Sequence, residues 1–239
     1  HGLVEVESAD HEHADLLTRL PRPGCYQLGV SINSCPGAFG RSKMLTIHPR
    51  VLLCNALPVH AIAFKQHGVH NLGETLFPGD ACPFHWANPT LGRLLSVSLL
   101  RATADRADDP TEALSRCDWS CAFPVNAVGD FTIVLKPPDL EQRRSRLFLN
   151  VDVQVSGAET KVVFSLQEAS LAPYRIDNLT SHPILIAQSP CEELEHPRVV
   201  EEVLPGCKVP FAWEQVTEQP TLDVHVANVR QPVCLDDLQ

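Results

Sequence analysis

The chain has 239 residues, enough for one large or two ordinary domains, and its 29 Asp and Glu outnumber 19 Lys and Arg for a net charge of −10. That balance argues against wrapping a nucleic-acid backbone, which needs clustered cations, and against a broad anionic membrane surface. No apolar run approaches the ~20 residues of a membrane span.

In chain order, residues 1–20 are polar and acidic, without the apolar core of a signal peptide. A chain that opens on His1 is expected to be a fragment of a longer one. Leu3-Val4-Glu5-Val6 reads as a strand, and Asp10 to Leu20 carries weak helical spacing. Leu28-Gly29-Val30-Ser31-Ile32 alternates apolar with small residues, the period-two pattern of a half-buried strand. Pro49-Arg50-Val51-Leu52-Leu53-Cys54-Asn55 is an apolar run closed by Asn, and Leu95-Ser96-Val97-Ser98-Leu99 alternates again. Thr103 to Pro110 is polar and charged and reads as a linker. Thr111 to Arg116 is expected to form one or two helical turns, capped by Asp109 or Thr111 with Pro110 near the start. Strands follow at Phe131–Leu135, Val151–Val155, Val162–Leu166, Ile184–Ile186 and Leu222–Val226. Pro36-Gly37, Pro78-Gly79, Pro137-Pro138 and Pro205-Gly206 mark turns, and 20 Pro residues leave little room for long helices. The pattern predicts an all-β protein of antiparallel β-sandwiches.

The chain also repeats itself. Gly79-Asp80-Ala81-Cys82-Pro83-Phe84-His85-Trp86 recurs as Gly206-Cys207-Lys208-Val209-Pro210-Phe211-Ala212-Trp213. The Asn-ended run recurs as Pro173-Tyr174-Arg175-Ile176-Asp177-Asn178, and an alternating strand follows each Trp. Three landmarks in one order predict an internal duplication. The expected organisation is two tandem sandwich modules: 1–104 (its opening strand missing), a linker at 105–117, and 118–239.

Within this frame, Asn55 and Asn178 each close a strand. Asn bonds backbone through both its carbonyl and its amide, so a buried Asn locking a strand-to-loop turn and a ligand-contacting Asn are both open readings. Phe84 and Trp86 share a face, as do Phe211 and Trp213, which suits either sandwich core or an aromatic shelf for a Pro-rich peptide.

Catalytic patterns are missing. There is no phosphate-binding Gly loop, nucleophile elbow or His-Glu-x-x-His. His11-x-His13 and His67-x-x-His70 are scattered, and acidic pairs such as Glu192-Glu193, Glu201-Glu202 and Asp236-Asp237 read as solvated charge. So does the basic stretch Arg143-Arg144-Ser145-Arg146. Nine Cys form no close metal pattern; Cys54, Cys82 and Cys207 lie in apolar segments and are expected to be buried, reduced thiols of a cytosolic protein. No cofactor and no nucleic-acid partner are expected. Binding is favoured over turnover; the competing readings are a structural spacer and a metal-assisted hydrolase.

The landmarks resemble those of the vacuolar protein sorting-associated protein 13 family. Pro49-Arg50 through Asn55 is similar to its "PR-x-x-x-x-N" segment, and Trp119-Ser120-x-x-Phe123 through Val128-Gly129 to its "WS-x-x-F…VG" segment. Pro173 to Asn178 resembles "PYRI-x-N", and Leu204 through Trp213 resembles "L-x-P…PYAW". The resemblance implies two consecutive modules, the last two of six, of that family's adaptor-binding domain, also known as a SHORT-ROOT-binding-like region. Each module there carries a characteristic Asn, matched by Asn55 and Asn178. It further implies a non-catalytic role: capture of adaptors bearing a Pro-x-Pro motif, which recruits a bridge-like lipid transfer protein to organelle membrane contact sites. The location would be cytoplasmic and peripheral, with membrane recruitment indirect, through the adaptors. The implied peptide-binding or module-integrity residues are Asn178, Asn55, Tyr174, Arg175, Phe211 and Trp213. The first copy lacks the Tyr-Arg-Ile run, so the second is the expected binder.

Overall fold

The computed structural model describes residues 2–7, 25–70, 73–102, 114–136, 146–189, 200–216, 221–227 and 229–234. They form β1 (Gly2–Glu7), β2 (Cys25–Ser34), β3 (Lys43–Pro49), β4 (Val51–Asn55), β5 (Ala61–Gln66), β6 (Glu74–Leu76), β7 (Ala81–Phe84), β8 (Leu94–Ala102), β9 (Leu114–Arg116) and β10 (Phe123–Pro124). The order continues with β11 (Gly129–Leu135), β12 (Leu147–Ser156), β13 (Glu159–Gln167), β14 (Tyr174–Asp177), β15 (Ile184–Gln188), β16 (Glu201–Val203), β17 (Lys208–Phe211), β18 (Thr221–Val226) and β19 (Val229–Cys234). Among the described residues the only helical pieces are single 3-10 turns at Gly37–Phe39 and Ala169–Leu171. The expected all-β class is borne out, and every predicted strand falls inside an observed one.

The sheets are ordered β1-β2-β3; β11-β12-β13-β4-β7; β10-β8-β5-β6, with β9 also on β8; β14-β17; and β16-β15-β18-β19. The chain divides into two compact units. The first comprises residues 1–97, 124–130 and 151–165; the second comprises 98–123, 131–150 and 166–239.

In the first unit, β4 alternates buried Val51, Leu53 and Asn55 with half-buried Leu52 and Cys54. It pairs antiparallel with β7 on one side and parallel with β13 on the other. On β13 the buried positions are Thr160, Val162 and Phe164, which lie opposite Val51, Leu53 and Asn55 in register. The two strands therefore bury a common face.

The second unit centres on a cluster of Ile184, Ile186, Val203, Phe211, Trp213 and Leu222, against which Tyr174, Ile176 and Val209 pack. Here β14 pairs antiparallel with β17, and β15 lies between β16 and β18.

One expected element is corrected. Residues 114–116 of the predicted helix are strand, because their backbone pairs with β8 (Leu100↔Arg116 to Ala102↔Leu114). Ladder hydrogen bonds outweigh the weak local helix signal of a cap and a Pro. The other predicted helix (10–20), the linker at 103–110 and His11-x-His13 lie outside the described residues.

Candidate functional site

The two repeated landmarks fold into matching geometry. Strand β4 pairs with β7 in the register Val51↔Phe84, Leu52↔Pro83, Leu53↔Cys82, Cys54↔Ala81. Strand β14 pairs with β17 as Tyr174↔Phe211, Arg175↔Pro210, Ile176↔Val209, Asp177↔Lys208. Each second strand begins after a turn with Pro at its second position and Gly at its third. Asp80 N–H donates to Phe77 O (3.1 Å), and Cys207 N–H donates to Leu204 O (3.0 Å). Gly79 and Gly206 take φ of 80° and 71°, the left-handed value a type II turn requires there.

Both asparagines are buried, Asn55 at 2% exposure and Asn178 at 1%. Asn55 Nδ2 donates to His60 O (2.9 Å) and Leu76 O (3.0 Å), while its Oδ1 accepts from Leu57 N–H (2.9 Å). Asn178 Nδ2 donates to His182 O (2.8 Å) and Val203 O (2.7 Å), and its Oδ1 accepts from the N–H (3.0 Å) and Oγ1 (2.8 Å) of Thr180. Their backbones match too. Asn55 N–H donates to Asp80 O and its carbonyl accepts from Gly79 N–H; Asn178 N–H donates to Cys207 O and its carbonyl accepts from Gly206 N–H. Each carboxamide thus ties a strand end, the loop after it and a distant strand, and both amide hydrogens are used inside the protein.

A second polar pair went unpredicted. Gln66 closes β5 and Gln188 closes β15, and both are buried. Gln66 Nε2 donates to Asn88 O (2.8 Å), and its Oε1 accepts from Asn88 N–H (2.8 Å). Gln188 Oε1 accepts from the N–H groups of Glu214 (2.7 Å) and Gln215 (2.9 Å), and its Nε2 donates to Gln215 O (3.2 Å). Each Gln braces the loop just past a Trp. The sequence signal was a Gln ending the next apolar run after each Asn.

The aromatic pairs are core. Phe84 and Trp86 meet edge to face with centroids 4.9 Å apart, and Phe211 and Trp213 do so at 5.1 Å. Trp86 Nε1 donates to Gln27 Oε1 (3.0 Å), whereas Trp213 Nε1 is buried without a partner among the described residues. Tyr174, standing where the first copy has Val51, adds a ring 5.5 Å from Trp213. At the variable position between Phe and Trp, Ala212 is fully buried, while half-buried His85 lies 5.0 Å from the ring of Tyr26. Burial holds the His85 imidazole below its ordinary pKa.

The copies part on the far side of the Asn-ended strand. In the first, Ala56 N–H donates to Phe164 O (2.8 Å) and Thr160 N–H to Arg50 O (2.7 Å), so β13 occupies that edge of β4. In the second, no described strand lies on the outer edge of β14. Because Asn178 turns its N–H to β17, strand alternation turns the N–H and C=O of Arg175 and Asp177 outward. Leu179, directly after Asn178, is 90% exposed.

Beside this edge lies a pocket of about 280 Å³, lined by Ala172, Tyr174, Arg175, Lys208, Val209 and Pro210 together with the 3-10 turn. Arg175 Nε and Nη2 donate to Asp177 Oδ1 (2.7 Å) and Oδ2 (3.0 Å) on the exposed face. Of the six sequence-predicted site residues, Tyr174 and Arg175 line this pocket, Asn178 follows directly on β14, and Phe211 and Trp213 lie beneath in the core. Asn55 sits in the other unit.

Three readings of solvated or buried groups need correction. Arg146 is not solvated: its side chain is 8% exposed, pairs with Glu201 (3.0 Å) and lies over the Phe211 ring (5.7 Å to the centroid). Glu201 is correspondingly half-buried, and desolvation, opposed by Arg146, raises its pKa. None of the three expected buried thiols is fully buried: Cys207 is exposed because it sits at the tip of the Pro-Gly turn, and Cys54 and Cys82 are half-buried, enough for desolvation to push the Cys82 thiol up to about 11. Among the described residues no group of three His, Cys, Asp or Glu is placed to hold a metal, and no helix is long and apolar enough to cross a membrane.

Comparison with known proteins adds the family context. The family model described as the adaptor binding domain of vacuolar-sorting associated protein 13 matches residues 4–219. The chain is 30% identical to the human intermembrane lipid transfer protein VPS13D over 230 residues, covering 91% of the chain and 5% of that protein. It is 21% identical to vps13D of Dictyostelium discoideum over 85% of the chain and 4% of that protein. To vps13B of the same organism it is 25% identical, over 85% of the chain and 3% of that protein. The chain therefore spans about 5% or less of the length of these relatives.

Proposed function

This chain belongs to the vacuolar-sorting associated protein 13 adaptor-binding domain family, and we propose from that premise that it captures adaptors bearing Pro-x-Pro motifs on the open edge of β14. One observation carries the reading: β4 has its outer edge filled by a parallel strand, while the equivalent edge of β14 has no described strand beside it. An extended peptide added there would bond the outward N–H and C=O of Arg175 and Asp177, with affinity from the main chain and specificity from side-chain pockets. The pocket lined by Tyr174, Val209 and Pro210 suits proline rings, and proline reduces the ordering entropy lost on binding.

The six site residues divide by role. Tyr174 and Arg175 face the peptide; Phe211 and Trp213 support the strand from beneath; Asn178 and Asn55 maintain the two copies as folded modules. The matching Asn, Gln and turn geometries support a duplicated architecture of copies at 1–104 and 118–239, although the compact units do not follow those bounds: residues 151–165 belong to the first unit, and residues 114–116 of the expected 105–117 linker are strand. The function is non-catalytic. In a parent resembling the relatives, which are named as intermembrane lipid transfer proteins, the domain would recruit the lipid-transfer body to organelle contact sites from the cytoplasm, touching membranes only through adaptors.

The test is a panel of Pro-x-Pro peptides titrated onto the intact chain by calorimetry. Binding with a Kd of roughly micromolar is expected, about −8 kcal/mol. Arg175→Pro should weaken it with thermal unfolding little changed, whereas Tyr174→Ala, which also strips packing from Phe211 and Trp213, should lower both affinity and melting temperature. A well-folded sample that binds no peptide in the panel leaves the spacer reading in its place.

A further inference from the structure

The array β1-β2-β3 has the same strand order as β11-β12-β13 at the head of the five-stranded sheet. Their central strands share one alternation, Leu28-x-Val30-x-Ile32 and Val151-x-Val153-x-Val155. Their third strands meet different fates. β13 continues onto β4 in parallel, and Val151, Val153, Val162 and Phe164 are wholly buried. β3 has no strand on its outer edge among the described residues. The pairs Val30↔Ile47 and Ile32↔Leu45 place four apolar side chains on one face, and Ile32, Leu45 and Ile47 are each more than half exposed. An apolar sheet face with an open edge is a template for association.

The molecule itself displays what fits such an edge: an Asn-ended strand, laid in parallel, backed by its Pro-Phe-x-Trp partner. We propose that the edge of β3, with the apolar face of Val30, Ile32, Leu45 and Ile47, is a docking surface for the Asn-ended strand pair of another module of this family, seated as β4–β7 is seated on β13. In a solution of this chain alone, the matching pair with an open edge is β14–β17 of a second copy. The two surfaces differ, so the contact is head to tail and each added copy leaves both ends open. This inference is independent of the peptide reading, although a peptide on β14 competes with it.

Sedimentation velocity of the intact chain tests it. Association rising with concentration up to about 1 mM is expected. Leu45→Glu with Ile47→Lys, at exposed positions, blocks one surface, and Arg175→Pro blocks the other. Each variant should stay monomeric, and an equimolar mixture should form dimers and nothing larger. Hydrogen exchange of the unaltered chain gives a second readout, with protection growing at residues 43–49 as association proceeds. A monomer throughout the range, association that survives in the β3 variant, or protection that bypasses β3 would each overturn the proposal. Peptide binding retained by the β3 variant separates that failure from failure of the adaptor reading.

Discussion

Strands β4 and β14 run up to the same buried asparagine and meet partners in the same register, yet one edge carries a strand and the other carries none among the described residues. β13 lies along β4, and β14 has no described neighbour beyond β17. The difference does not reside in the strands themselves. It comes from which distant segment lies alongside, so local sequence sets the shape of the edge while long-range pairing decides whether the edge is structure or site.

The sharpest way to break that comparison is a proline at equivalent positions. Leu52→Pro removes an N–H that alternation points at β13, and should destabilise the protein by about 3 kcal/mol in urea unfolding. Arg175→Pro removes an outward N–H with no ladder partner and should cost less than about 1 kcal/mol while abolishing peptide binding. Equal losses would mean that β14 is covered after all.

Next in size, Asn55→Ala and Asn178→Ala each remove bonds to two backbone carbonyls and a backbone N–H, although His182 O keeps a bond from Thr180 Oγ1. A loss of roughly 2–3 kcal/mol is expected for each. If Asn55→Ala leaves peptide affinity intact and Asn178→Ala removes it in proportion to lost folding, the asparagines are struts of separate modules. A smaller contrast lies in the tryptophans. Both Trp86→Phe and Trp213→Phe lose core packing, but Trp86→Phe also loses the bond to Gln27 and should cost about 1 kcal/mol more than Trp213→Phe, whose donor has no partner among the described residues.

The smallest effect concerns Glu74 and Glu201, which hold equivalent places on β6 and β16. Desolvation raises both carboxyl pKa values, and only Glu201 has Arg146 opposing the rise. A raised folded-state pKa means stability that is fully present below the unfolded carboxylate value and lost as pH rises through the folded value. Melting of the unaltered chain should therefore fall from about pH 4 to pH 7 relative to Glu74→Gln and Glu201→Gln. An identical slope in the variants would remove these carboxylates as the source.

Much of this was readable beforehand. Period-two alternation located the strands, and the recurrence of Asn and Pro-Phe-x-Trp located the geometry that repeats. Gln66 and Gln188 were overlooked because a polar residue closing an apolar run looks like an ordinary strand end until its partners are seen. Arg146 was misread because three neighbouring charges suggested solvent, while its burial depends on Phe211 and Glu201, far along the chain. The open edge of β14 was invisible for the same reason: no local pattern encodes that Thr160 lies against Val51.

The placement of β13 also fixes an order of events during synthesis. Residues 151–165 belong to the first compact unit, so that unit stays unfinished until they have cleared the ribosome, long after β4 has emerged. For all that interval β4 carries a bare apolar edge, and nascent chains held in a polysome have the means to cross-pair. Slowing elongation between codons 55 and 165 should therefore raise misassembly more than the same pause placed after residue 165.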